Sequence, residues 1–170
     1  MRAPLVMLSV GLAAIAAASA AAPASPSTPL RMSCTAGMIS FGGTQARVFC
    51  GSAKATVKIG GKTFSFKGGS CERTSKYLAI NVGTVVLGNT TKKKPDYFGL
   101  DVGAYPGTTS KPASHDGSYT GGVLAVEFGG KSYLLRGDTA KITVSGGRTR
   151  GTFSADGLLG SSRAIGSFSC

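Results

Sequence analysis

Val57-Lys58-Ile59, Gly60-Gly61, Lys62-Thr63-Phe64-Ser65-Phe66 is the segment from which the fold can be read. Val57, Ile59, Phe64 and Phe66 fall on one side of a two-residue period, and Lys58, Thr63 and Ser65 fall on the other. Each arm therefore has a dry face and a wet face. The glycine pair between the arms supplies the turn chemistry of a tight hairpin. The pattern returns as Val126-Glu127-Phe128, Gly129-Gly130, Lys131-Ser132-Tyr133-Leu134-Leu135, with Lys67-Gly68 answered by Arg136-Gly137. These twelve residues form an internal echo, by duplication or by convergence of two hairpins on one recipe, and the match is too short for a solenoid.

Two further glycine pairs, 42-43 and 146-147, also separate alternating segments. Between the echoes, Tyr77 to Val82, Thr84 to Leu87 and Tyr97 to Val102 read as strands. Ala140 to Val144 and Arg148 to Ala155 flank the last glycine pair, and Ala164 to Ser169 closes the chain. Beyond the N-terminal segment no window sustains a helical period, and the glycine-poor stretch Glu72 to Lys76 is where a single helical turn is expected. Eight to ten short antiparallel strands predict an all-β fold, a disulfide-stabilised sandwich or flattened barrel. The composition agrees, since 42% apolar residues exclude wholesale disorder and 26 glycines exclude a helical bundle.

Residues 1–20 read as a signal peptide. Met1-Arg2 gives a positive start, Leu5 to Ala17 is apolar except for Ser9 and Gly11, and Ala18-Ser19-Ala20 offers the small residues of a cleavage site. The rival, a retained anchor, is disfavoured because the run is mostly alanine and is not followed by a basic stop-transfer cluster. Residues 21–30, AAPASPSTPL, carry three prolines and three hydroxyl residues and read as an extended tether. Residues 31–170 are then one β-rich domain, long enough to bury roughly two-thirds of its unfolded surface.

Export permits disulfides, and the four cysteines allow three connectivities. Cys34 and Cys50 flank a candidate hairpin, whereas Cys71 follows another and Cys170 ends the chain. The favoured pairs are Cys34 with Cys50 and Cys71 with Cys170. Zinc or thiol chemistry is disfavoured, because there is no C-x-x-C spacing and the lone His115 lies in a Pro/Ser/Gly-rich loop far from any cysteine.

Catalytic signatures are missing from the sequence. His115 is followed directly by Asp116, which cannot fold back to orient it as a triad carboxylate does, and there is no G-x-S-x-G elbow. The acids Glu72, Asp96, Asp101, Asp116, Glu127, Asp138 and Asp156 are scattered singly, and they lack the close spacing of a calcium loop. The expectation is no enzyme activity, no metal and no cofactor.

Charge carries the remaining signal. The chain is formally +12, and loss of Arg2 with the signal segment leaves +11. The densest run is Lys92-Lys93-Lys94-Pro95, followed by Tyr97-Phe98. Lys92, Lys93, Lys94 and Tyr97 are thus the candidate contacts with an anionic surface, against the blander reading of a solvated loop. For an exported chain the fitting anions are acidic envelope polymers or lipid head groups rather than a specific nucleic acid, with membrane contact at most peripheral. Asn89-Thr90-Thr91 is a glycosylation sequon, relevant only in a host that uses it.

The order of four motifs resembles a known family. These are the V-x-I-G-G-K hairpin at Val57, the cysteine that follows it in Phe66-Lys67-Gly68-Gly69-Ser70-Cys71, the alternating strand Leu78-Ala79-Ile80-Asn81-Val82, and the terminal G-x-F-S-C. Over about two-thirds of its length the chain is similar to the mycobacterial lipoprotein antigens of the LpqH type, small exported envelope proteins. The resemblance implies a compact β-fold, a link between Cys71 and Cys170, surface exposure and antigenicity, without enzyme activity. Family members carry lipid on a cysteine at the mature N-terminus. Here Cys34 follows Arg31-Met32-Ser33 beyond a polar tract, so acyl anchoring does not carry over, and Cys34 and Cys50 are additions. The expected function is a secreted or envelope-associated noncatalytic, antigen-like β-domain, with a small apolar-ligand or lipid carrier as the alternative.

Overall fold

The computed structural model describes residues 34–105, 110–158 and 162–170; the expected signal peptide and tether lie outside the described residues. Three of the glycine pairs form two-residue hairpin loops, with φ of +58° and +83° at Gly42-Gly43, +55° and +80° at Gly60-Gly61, and +61° and +81° at Gly129-Gly130. Positive φ at both positions gives a turn whose twist matches the flanking strands. The hairpins so closed are β1 (Gly37–Phe41) with β2 (Thr44–Phe49), β3 (Ala53–Ile59) with β4 (Lys62–Arg73), and β8 (Val123–Phe128) with β9 (Lys131–Leu134). The fourth pair behaves differently. The connection from β10 (Lys141–Ser145) to β11 (Arg150–Ala155) has four residues, and Arg148 shares the positive φ of its glycine neighbours at +63°.

The remaining strands are β5 (Tyr77–Val86), β6 (Tyr97–Gly103), β7 (Gly117–Thr120) and β12 (Ala164–Ser169), and a 3-10 turn lies at Gly137–Thr139. Every pairing is antiparallel, in the order β7-β10-β11-β12-β3-β4-β5-β6-β8-β9, and the β1-β2 hairpin hangs from the far end of β5. The fold is all-β, and the sheet curls into a half-barrel. Strand β4 turns the corner, since its start pairs with β3 and its end with β5. The register slips between Ala53 and Lys54, leaving Gly68 as the extra residue of a bulge at φ +86°, a geometry open to glycine and costly to others. The β7-β8 segment turns similarly, with β7 on β10 and β8 on β6.

The described residues hold twelve strands rather than eight to ten. Strand β7, GSYT, sends one side chain of any size inward, so its alternation is too short to stand out. Conversely, Tyr77–Val82 and Thr84–Leu87, expected as separate strands, are joined through Gly83 into β5, which ends at Val86. The helical turn expected at Glu72 to Lys76 does not form. Glu72 and Arg73 finish β4, and Thr74 Oγ1 accepts the N–H groups of Lys76 and Tyr77 at 3.1 and 3.0 Å, which stabilises a tight turn instead of a helix.

Inward residues of both halves fill the interior, among them Val57, Ile59, Phe64, Phe66, Leu78, Ile80, Phe98 and Phe153. Phe98 lies between Phe66 and Phe153, with ring centroids 5.8 and 5.4 Å away. The two echo hairpins meet through their inner faces: Phe64 contacts Phe128 at 4.7 Å and Tyr133 at 5.3 Å. Burial of each large side chain contributes about 1.5–3 kcal/mol, so this aromatic seam holds the halves together. Two disulfides add covalent closure. Cys34 pairs with Cys50 at a Cα separation of 5.7 Å, and Cys71 pairs with Cys170 at 5.6 Å.

Candidate functional site

The basic run sits between two hairpin turns, and each lysine meets a different constraint. The stem of Lys92 crosses Gly42, where a Cβ would come within 3.1 Å of its Cδ; Lys93 crosses Gly130, where a Cβ would lie 2.3 Å from its Cγ. Missing side chains in the turns make room for the lysine stems. Lys94 Nζ donates to Glu127 Oε1 at 2.8 Å, and Asp96 Oδ1 accepts the N–H of Gly129 at 2.8 Å, so the loop is tied to the β8-β9 hairpin at two points. Lys92 and Lys93 remain exposed, and Lys131 stands exposed next to Gly130. Of the expected lysines, Lys92 and Lys93 are thus the exposed cations and Lys94 is drawn into an ion pair, while Lys131 adds a third exposed cation beside the turn that Lys93 crosses.

Tyr97 is not at that surface. It is 8% exposed, its hydroxyl donates to Asn81 Oδ1 at 2.6 Å, and its ring occupies the space over Gly99 that a Cβ would take. Burial pushes its phenol far above the ordinary range, with the charge of Asp101 adding to the effect. Phe49 flanks Tyr97 at 6.0 Å, and the Arg47 guanidinium lies 5.1 Å over the Phe49 ring.

Tyr97 belongs to a polar and aromatic strip on the outer face of β4, β5 and β6. Ala79 pairs with Glu72 on one side and with Asp101 on the other, so the two carboxylates flank one small residue on the same face. Asp101 is pushed up to about 6, chiefly by burial and secondly by Glu72, and its Oδ1 is buried without a hydrogen-bond partner. The Tyr77 hydroxyl donates to Glu72 Oε1 and is raised to about 12 by that bond, while its ring meets Tyr105 edge-on at 5.0 Å. Along the sequence Glu72 and Asp101 are isolated acids. Only the β4-β5-β6 register, supplied by pairing, brings them near one another.

The other singled-out groups have structural partners. Asp116 accepts the N–H groups of Gly147 at 2.9 Å and Arg148 at 2.7 Å, which hold its carboxyl below its ordinary value. His115 Nδ1 lies 3.2 Å from Ser114 Oγ. Among the described residues no group of three or more His, Cys, Asp or Glu is arranged to hold a metal ion, and no helix is long and apolar enough to cross a membrane. The two disulfides suit an oxidising, extracytoplasmic environment. No family model matches the chain, and neither a curated protein nor a solved structure does.

Proposed function

We propose that the chain is a secreted or envelope-associated noncatalytic β-domain, antigen-like, that contacts anionic surfaces. The observation that carries this reading is the anchoring of the 88–96 loop by Lys94 and Asp96, which holds Lys92 and Lys93 exposed beside Lys131. Three exposed cations on a mature chain of +11 attract anionic surfaces through a long-range, salt-screened field. Residues 1–20, the two disulfides and the LpqH-like order of motifs support export and envelope association. The mature protein should bind vesicles containing phosphatidylglycerol at low ionic strength and release them as salt rises. Lys92→Ser, Lys93→Ser and Lys131→Ser together should weaken that binding severalfold; salt-independent retention, or none, overturns the reading. Nonreducing peptide mapping of culture supernatant and cell wall tests location.

The carrier reading has one supporting observation, an apolar depression lined by Ile59, Leu134, Leu135 and Leu158. Its volume of about 200 Å³ is below that of ordinary ligand pockets, so a copurified lipid in native mass spectrometry would be needed to restore it.

A further inference from the structure

Sheet pairing aligns side chains that are scattered through the sequence. On the outer face of the half built from β7, β10, β11, β12, β3 and the start of β4, Ser118, Thr143, Thr152, Ser167, Thr56 and Ser65 are successive cross-strand partners. They make an unbroken row of hydroxyls at right angles to the strands, and Ser118 Oγ already lies 3.3 Å from Thr143 Oγ1. At about 4.8 Å per strand the row spans roughly 24 Å.

Cations border the row on both sides. Lys141 and Lys58 lie in the next row toward one end of the strands, and Arg150, Lys54 and Lys67 lie in the row toward the other. All five are exposed. Among the described residues these rows contain no carboxylate. Glu72 and Asp101 belong to the other half, Asp116 at the rim is occupied by backbone N–H groups, and Asp156, just past β11, faces Arg163 at 3.8 Å. Two shallow depressions open on this face, and Thr152 and Ser167 line both.

The chemistry selects among polyanions. A membrane-docking face would expose apolar or aromatic side chains for insertion, and here Ile165 is the apolar member of the three rows. A single-strand nucleic acid face would offer aromatic stacking platforms, which these rows lack among the described residues. Hydroxyls in line, flanked by ammonium and guanidinium groups, instead fit a hydrated chain with alternating hydroxyls and phosphodiesters. We propose that this face docks a linear polyol phosphate polymer running across the strands along the hydroxyl row. The proposal rests on the anionic-contact reading above and adds a surface separate from the 92–94 loop.

The test uses poly(glycerol phosphate) of about 25 units, phosphatidylglycerol vesicles and oligo-dT, each titrated against the mature protein at several salt concentrations. Lys54→Ser, Lys58→Ser and Arg150→Ser together should cut polymer affinity at least tenfold and reduce the salt slope by about two to three. Thr152→Val with Ser167→Val should cost severalfold with the slope unchanged. Lys92→Ser, Lys93→Ser and Lys131→Ser together should change polymer binding less than twofold. Far-UV circular dichroism checks folding, and Lys58→Glu and Arg150→Glu singly replace the triple variant if it unfolds. Loss of polymer binding in the loop variant, with the face variants unaffected, overturns the proposal while the broader reading stands. Equal or tighter binding of vesicles or oligo-dT at this face also overturns it. If no polyanion binds at low salt, both readings fall.

Discussion

Arg148 reaches from the β10-β11 turn to the β4-β5 turn, where its Nη2 donates to the carbonyl of Tyr77 at 2.6 Å and its Nη1 to that of Thr74 at 2.7 Å. The backbone N–H of Arg148 is meanwhile held by Asp116, so one residue with positive φ connects three segments distant in sequence. Arg148→Ala removes both charge-assisted bonds and leaves two carbonyls without these donors, at a cost of about 2–3 kcal/mol. Arg148→Gly should be less damaging, because it relieves the positive φ. Urea unfolding midpoints of the two variants measure the difference, and equal midpoints would mean that the backbone conformation carries no strain.

The Cys71–Cys170 link closes a separation of 99 residues and Cys34–Cys50 one of 16. On chain-entropy grounds the long loop contributes about 5 kcal/mol and the short one about 3. Replacing Cys71 and Cys170 by Ala should therefore lower Tm more than replacing Cys34 and Cys50, which tie down only the peripheral β1-β2 hairpin. Differential scanning calorimetry of the two double variants tests the order.

Asp101 gives a pH signature. Its folded-state pKa of about 6 stands above the ordinary 3.8, so between those values the folded state binds the proton more tightly than the unfolded one. Its contribution is most favourable below pH 4 and is lost as pH rises through 6. Asp101→Asn should flatten stability across this window and raise it at pH 7 by on the order of 1–2 kcal/mol. Asp116, with a lowered pKa, acts in the opposite sense, and its stabilisation is lost as pH falls below the ordinary carboxylate range. Unfolding midpoints from pH 3 to 8 separate the two.

Gly69 lies where β4 turns the corner onto β5. A Cβ there would sit 2.1 Å from the carbonyl oxygen of Asn81 and 2.5 Å from the Cα of Val82. Both obstacles are backbone and cannot swing away, so Gly69→Ala should destabilise by at least about 2 kcal/mol. Gly61→Ala meets nothing within 4 Å and pays only for its φ of +80°, about 1–2 kcal/mol. Similar losses in the two variants would show that the corner relaxes.

Lys94 shields Glu127, whose side chain is 13% exposed and whose Oε2 is buried without a hydrogen-bond partner. Lys94→Met leaves a mostly buried carboxylate beside Ser132 Oγ alone, 3.1 Å from its Oε1, and should cost about 1–3 kcal/mol at pH 7. Adding Glu127→Gln should restore part of it. A double-mutant cycle in urea gives the coupling, and additivity would place the ion pair among those of little energetic consequence.

Much of the architecture is visible before any tertiary contact is known. Val57, Ile59, Phe64 and Phe66 face inward as their alternation predicts, and the turn at Gly60-Gly61 has the positive φ values that paired glycines permit. Tyr97 could not be read the same way. Its place in an alternating strand puts it on the outer face, yet the space over Gly99 and the partner Asn81, sixteen residues earlier, bury it there. The lysine run was apparent as composition, whereas the withdrawal of Lys94 depends on Glu127, 33 residues away.

Short-range order in this chain follows from steric preference and side-chain period, which act over two to ten residues. Hairpins, wet and dry faces and the all-β class are therefore written locally. Which strands become neighbours is a matter of global packing. Insertion of β12 between β11 and β3 brings Ser167 beside both Thr152 and Thr56, completes the hydroxyl row and brings Cys170 to Cys71. No local rule specifies that insertion, because one edge strand offers nearly the same hydrogen bonds as another and the choice falls to the fit of the aromatic core beneath.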